Sequence, residues 1–88
     1  MDLSAERKKI DEIDRKLVNL IEERMDLCLE IGRIKAANNA PVLDTSREQE
    51  KLDKIKNMTV NEEYKEATNN IFVKVMEESR KLQSKIDR

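Results

Sequence analysis

Two cations, Arg24 and Lys35, stand eleven residues apart in a stretch whose apolar residues recur every three or four positions. On an α-helix eleven residues make three turns plus about 20°, so both side chains lie on one stripe about 16 Å apart along the axis. Arg24 occupies the place where the rhythm Leu17, Leu20, Leu27 calls for another Leu. Burying an unpaired guanidinium costs several kcal/mol, so Arg24 is a specificity device, an intersubunit salt bridge or a ligand for an anion. Between the cations lie Cys28, Ile31 and Gly32, the only glycine of the chain. A mid-helix glycine costs about 1 kcal/mol relative to alanine, which close helix packing or clearance for a ligand would justify equally. Cys28, with no histidine in the chain to activate it, reads as a small hydrophobe rather than a nucleophile. Further on, Asp44 or Thr45 can cap a helix, with Glu48 placed to complete a capping box on Thr45. Arg47 is then a cation in a first turn, opposed to the helix dipole unless an acid or a ligand compensates it. Phe72, Met76, Ser79 and Gln83 form an i, i+4, i+7, i+11 stripe, so a hydroxyl and an amide enter an apolar face and must bond to neighbouring helices or to a polar ligand. Such residues bind anions and donate hydrogen bonds. Without histidine there is no imidazole base, no His triad and no His-ligated metal, and a single cysteine makes neither an intrachain disulfide nor a Cys-rich zinc site.

The elements that must carry these side chains follow from composition and punctuation. The chain has 88 residues, 42% charged and 38% apolar, with one Gly, one Pro and two aromatics, the profile of one small, highly helical domain over residues 1–88. Asn38-Asn39-Ala40-Pro41 must end a helix, and Asn57-Met58-Thr59-Val60-Asn61 is a second weak stretch, with Glu62 placed to complete a capping box on Thr59. Three helices are predicted, at about 4–38, 45–57 and 61–87, in an all-α fold. Leu3, Ile10, Ile13, Leu17, Leu20, Leu27, Ile31 and Ile34 mark a heptad seam on the first. That helix would be a rod of roughly 50 Å, longer than a compact chain of this size is wide, and needs a second chain along it. Lys and Arg total 18 against 19 Asp and Glu, without the basic excess of a nucleic-acid binder. No segment approaches the ~18 apolar residues of a membrane span, and the N-terminus lacks a signal-peptide pattern, so a cytoplasmic protein with neither nucleic acid nor membrane as partner is expected.

The pattern Arg7-x-x-Ile10-x-x-Ile13-Asp14-x-x-Leu17, Glu23-Arg24, Lys35, Pro41-Val42-x-Asp44-x-x-Arg47-Glu48, Glu78-Ser79-x-x-x-Gln83 closely resembles the all-α chorismate mutases, from about Arg7 to Gln83. The resemblance implies an intertwined homodimer of three-helix chains whose long first helix is shared between two active sites. It implies the Claisen rearrangement of chorismate to prephenate on the way to phenylalanine and tyrosine, with no cofactor and no metal. By the same likeness Arg24, and Arg7 from the other subunit, bind carboxylates. Lys35 and Gln83 donate to the ether oxygen of the breaking bond, Lys35 also reaching a carboxylate. Glu48 and the Asp44 region hold the ring hydroxyl, and Arg47 and Ser79 complete the substrate contacts, so Lys35, Gln83, Arg24 and Glu48 form the catalytic set. Arg7 and Arg24 are 17 residues apart, roughly 25 Å along one rod, which an antiparallel partner could reconcile. Two other readings are an isochorismate pyruvate-lyase-like enzyme, which Asp44 and Ser79 disfavour, and a non-catalytic helical dimerisation module, in which Arg24, Lys35, Arg47 and Gln83 need not converge. Arg80 departs from an often apolar pocket edge, where its charge would widen, screen or avoid the site. The connection between the second and third helices looks about one residue short. No attached dehydratase, dehydrogenase, synthase or amino-acid-sensing domain is expected.

Overall fold

A computed structural model describes residues 1–86. It consists of three helices, α1 (Ser4–Ala37), α2 (Thr45–Met58) and α3 (Lys65–Ser84), with a single 3-10 turn at Glu62–Tyr64 before α3 and no strand among the described residues. The predicted all-α, three-helix order is therefore observed, with different local punctuation. The Asp44 carboxylate caps α2, accepting a hydrogen bond from the Arg47 backbone N–H at 3.0 Å, so Thr45 is the first helical residue and not the cap. The box expected between Thr59 and Glu62 does not form. The Thr59 hydroxyl instead donates backwards to the Ile55 carbonyl at 2.8 Å, closing α2, and Asn61 starts the next turn by accepting from the Glu63 N–H at 3.0 Å. α3 consequently begins at Lys65 rather than at 61; it closes at Ser84, and position 87 of the predicted span lies outside the described residues. After α1 the chain turns through Asn39, whose φ of 53° is tolerated by asparagine, and the Ala40 N–H returns to the Lys35 carbonyl at 2.8 Å.

α3 packs against both α1 and α2, which do not approach each other closely. Among the described residues the buried side chains are few: Ile55 and Met76 are apolar, Ser79 and Gln83 polar. Only the C-terminal half of α1 is covered. Every residue from Met1 to Glu23 is exposed, and the seam residues Ile10, Ile13, Leu17, Leu20, Leu27, Ile31 and Ile34 remain 48–60% accessible in a chain measuring 56 × 25 × 15 Å. Among the described residues no helix is long and apolar enough to cross a membrane. On the solvent side of α3, Lys81 and Lys74 hold the Glu78 carboxyl below its usual range, and hydrogen bonds to Glu78 and Glu77 raise the Lys74 ammonium. Pairs this exposed contribute little to stability.

α1 and α3 cross at Gly32, which decides between the two readings of this residue in favour of packing. A Cβ built there would stand 3.0 Å from Gln83 Cγ and 2.6 Å from Ile86 Cδ1, well inside ordinary contact. Gly32→Val should therefore destabilise the protein by about 1–3 kcal/mol through overpacking. Thermal unfolding by circular dichroism at fixed protein concentration reads this as a clear fall in midpoint, and an unchanged midpoint contradicts the assignment.

Candidate active site

A cavity of about 360 Å³ opens where the three helices meet. α1 contributes Arg24, Leu27, Cys28, Ile31 and Lys35. The connection to α2 contributes Val42 and Asp44, α2 adds Arg47, Glu48 and Lys51, and α3 adds Met76, Ser79, Arg80 and Gln83. Seven of the eight residues singled out in the sequence thus line one space. Five lining residues are cationic and two acidic, a local excess of three positive charges in a chain of net charge -1. A concave wall of one sign concentrates counter-ions of the other, so the cavity is suited to a small organic anion.

Arg24, Lys35 and Gln83 are each held by a neutral partner, with hydrogen-bonding capacity left over. The Arg24 guanidinium donates through Nη1 to Ser79 Oγ at 3.0 Å and touches Cys28 Sγ at 3.5 Å. Ser79 in turn donates to the Val75 carbonyl at 2.8 Å, so its oxygen faces Arg24 as an acceptor. No carboxylate of the same chain among the described residues pairs with Arg24, whose charge is oriented by neutral groups and remains uncompensated. Lys35 Nζ donates to the Val42 carbonyl at 2.9 Å, a contact that ties the end of α1 to the loop after Pro41. An ammonium has three protons, so two remain for a ligand. Gln83, 6% exposed, donates through Nε2 to the Cys28 carbonyl at 2.7 Å, keeping its second N–H. Helical periodicity aligns Arg24 and Lys35, and the α3 stripe brings Ser79 and Gln83 against them.

The two acids are tied as well. Asp44 spends one carboxylate oxygen on the α2 cap. Glu48 does not serve the capping box considered for it; its carboxylate pairs with Arg80 across the α2–α3 junction. That contact settles the open position of Arg80: it lines the cavity and meets an acid there. Arg47 makes only a loose approach to Glu50 at 3.8 Å, with both side chains more than half exposed. Arg7 lies outside the cavity on the uncovered half of α1. Lys51 was missed in the sequence, although its position three residues after Glu48 and four after Arg47 puts it on their face of α2. Cys28 fills the wall beneath Arg24. The arrangement offers several fixed N–H donors around an anion and no imidazole or activated nucleophile. A role confined to setting dimer register does not require Arg24, Lys35, Arg47 and Gln83 to converge, and all four line one space.

Comparison with known proteins places this geometry in context. Residues 6–84 match the family model described as chorismate mutase type II. The chain is 40% identical over 53 residues to the bifunctional chorismate mutase/prephenate dehydratase of Escherichia coli (strain K12), covering 60% of this chain and 14% of that protein. It is 41% identical over 56 residues to a chorismate mutase of Methanocaldococcus jannaschii, covering 64% of this chain and 57% of that one. The matches thus span only part of the curated relatives, a small part of the bifunctional one. A solved chorismate mutase (form II) of Thermus thermophilus superposes with a TM-score of 0.90 at 28% identity over 98% of both chains.

Proposed function

The chain belongs to the chorismate mutase type II family, and from that premise we propose that it converts chorismate to prephenate on the route to phenylalanine and tyrosine, as a single helical domain over residues 1–88 working as a cytoplasmic homodimer. The observation that carries this reading is the convergence of Arg24, Lys35 and Gln83 on one cavity, each held by a neutral partner and each with donors to spare. The rearrangement breaks an ether C–O bond and forms a C–C bond within one molecule, without proton transfer or a covalent enzyme intermediate. It requires confinement of a flexible dianion in its reactive shape and donors where charge develops on the ether oxygen. Lys35 and Gln83 supply those donors, Arg24 and Arg7 of the partner subunit clamp the carboxylates, and Arg47 and Ser79 complete the contacts. Glu48, with the Asp44 region, accepts from the ring hydroxyl. A million-fold acceleration needs about 8 kcal/mol. Two charge-assisted or strengthened hydrogen bonds at about 1.5–3 kcal/mol each supply much of it, and conformational restriction the remainder. Uniform carboxylate clamping would bind ground and transition states alike.

The homodimer rests on the bare half of α1. Its half-exposed Leu and Ile side chains each recover about 1 kcal/mol when covered, and a continuous apolar seam on a lone rod marks an interaction face. A second copy laid antiparallel covers that seam and carries its Arg7 towards the first copy's Arg24.

The direct experiment follows chorismate loss and prephenate formation with purified protein; an inactive wild type overturns the reading. With activity established, Gln83→Glu should work only while its carboxyl is protonated and can donate to the ether oxygen, so its activity rises towards acid pH, and a flat profile from about pH 5 to 8 removes Gln83 from that role. Subunit exchange tests the shared site. Arg7→Ala and Arg24→Ala should each be nearly inactive yet helical, while an equal mixture, equilibrated to allow exchange, regains about a quarter of wild-type turnover, because half of the dimers are hybrids and each hybrid restores one of two sites. No recovery despite demonstrated exchange places Arg7 outside the partner's site.

A further inference from the structure

We propose that Arg80 is a positioning residue, which aims the Glu48 carboxylate at the ring hydroxyl of the substrate and offsets the negative charge that Glu48 would otherwise present to a dianion. This inference rests on the reading of Glu48 given above and adds to it a residue and a reason. Among the described residues the other ion pairs join side chains three or four positions apart. Arg80–Glu48 joins α3 to α2 across 32 positions. It is also sheltered, with side chains 32% and 25% exposed, and both residues line the cavity.

Its place in the fold gives the pair its leverage. Arg80 follows Ser79, the buried partner of Arg24, and precedes Gln83 by three residues, so it lies between the two buried α3 residues that hydrogen-bond to α1. Glu48 sits in the first turn of α2, immediately beyond the Asp44 cap. Arg80 therefore docks the start of α2 and orients the acid with one contact. The bond is made to Oε1, and Oε2 receives no hydrogen bond from the protein among the described residues. A carboxylate offers about four acceptor directions, so a ring hydroxyl can donate to the free oxygen while Arg80 keeps the group from turning away. An unpaired Glu48 would carry the same sign as the substrate at close range, where like charges repel. Arg80 removes that conflict without removing the acceptor. Lys51, a pocket cation one turn along α2 with no ion-pair partner among the described residues, provides the contrast: it adds positive potential without touching Glu48.

The test compares kcat and KM for chorismate and for an analogue in which hydrogen replaces the ring hydroxyl, using wild type, Arg80→Ala, Arg80→Lys, Lys51→Met, Glu48→Gln and the Arg80→Ala/Glu48→Gln double variant, with thermal unfolding recorded for each. Arg80→Ala should lower kcat/KM for chorismate by about tenfold or more, the scale of one charge-assisted contact, while changing the deoxy analogue much less, so that the preference for the hydroxyl collapses. Arg80→Lys, which keeps the charge on an intact fold, should restore part of that preference. In the Glu48→Gln background, removing Arg80 should cost less than about twofold further, as expected of two residues acting as one unit. Lys51→Met should weaken both substrates alike and leave the preference standing. An equal loss on both substrates in Arg80→Ala, or an undiminished loss in the Glu48→Gln background, shows Arg80 to be a general charge or a helix tether and overturns the proposal. Wild-type protein that does not turn over chorismate defeats the functional reading itself, whereas an active wild type with an unaltered preference in Arg80→Ala defeats the role of Arg80 alone.

Discussion

The crossing of α1 and α3 at Gly32 is the contact on which the rest of the site depends. With no Cβ at this position, the backbone of α1 comes within reach of Gln83, whose amide then bonds the Cys28 carbonyl one turn earlier. A further turn back, Arg24 meets Ser79. Three successive turns of α1 are thus matched to two of α3 by a close approach and two polar contacts, and the side chains making those contacts also face the cavity. The same groups fasten the helices and furnish the pocket. Displacing α3 by the thickness of a methyl group would disturb both at once, since packed interfaces yield by discrete shifts rather than by smooth compression.

Few apolar side chains are buried in this chain, and the polar ones take their place. Ile55 and Met76 are accompanied by Ser79 and Gln83 at comparable burial. A buried hydroxyl or amide is tolerated where its hydrogen bonds are made, and the described side chains leave no buried donor or acceptor unpartnered. The excess positive charge in the cavity is a different matter. Lys35 leans on a backbone carbonyl and Arg24 on a hydroxyl, partners that orient a cation without neutralising it. Carboxylate partners would have quenched the field that attracts an anion. Glu48, an acid of the cavity lining that does meet a pocket arginine, meets it at the junction of α2 and α3.

Much of this was legible in the sequence because it is periodic. The spacing of eleven between Arg24 and Lys35, and the stripe from Phe72 to Gln83, fix which residues share a face wherever the helices end, and those faces meet at the cavity. Local punctuation was harder to read. Asp44 and Thr45 are both competent caps, and the choice between them depends on how the chain leaves Pro41. Thr59 could cap forwards or close α2 backwards; it closes, and Asn61 takes the other task. Arg80 could not be interpreted at all, since its partner lies 32 residues away on another helix and no period connects them. Lys51 carried a signal, its spacing from Arg47 and Glu48, that gains meaning only once α2 is known to form a wall.

The absence of histidine, the most visible gap in the composition, bears on how such a pocket stays in register. An imidazole changes between donor and acceptor near neutral pH, whereas guanidinium and primary amide groups offer the same protons across that range. A reaction that moves no proton gains nothing from a titrating group and loses if the hydrogen-bond pattern around the substrate changes with pH. The pocket's donors are of the fixed kind. Its two acids are each engaged by a donor of the chain, Asp44 by the Arg47 N–H and Glu48 by the Arg80 guanidinium, which directs their remaining lone pairs. What varies in such a site is position, set by helix contacts such as the one at Gly32. In the proposed rearrangement, side-chain geometry takes over the work that acid–base poise performs in hydrolytic sites.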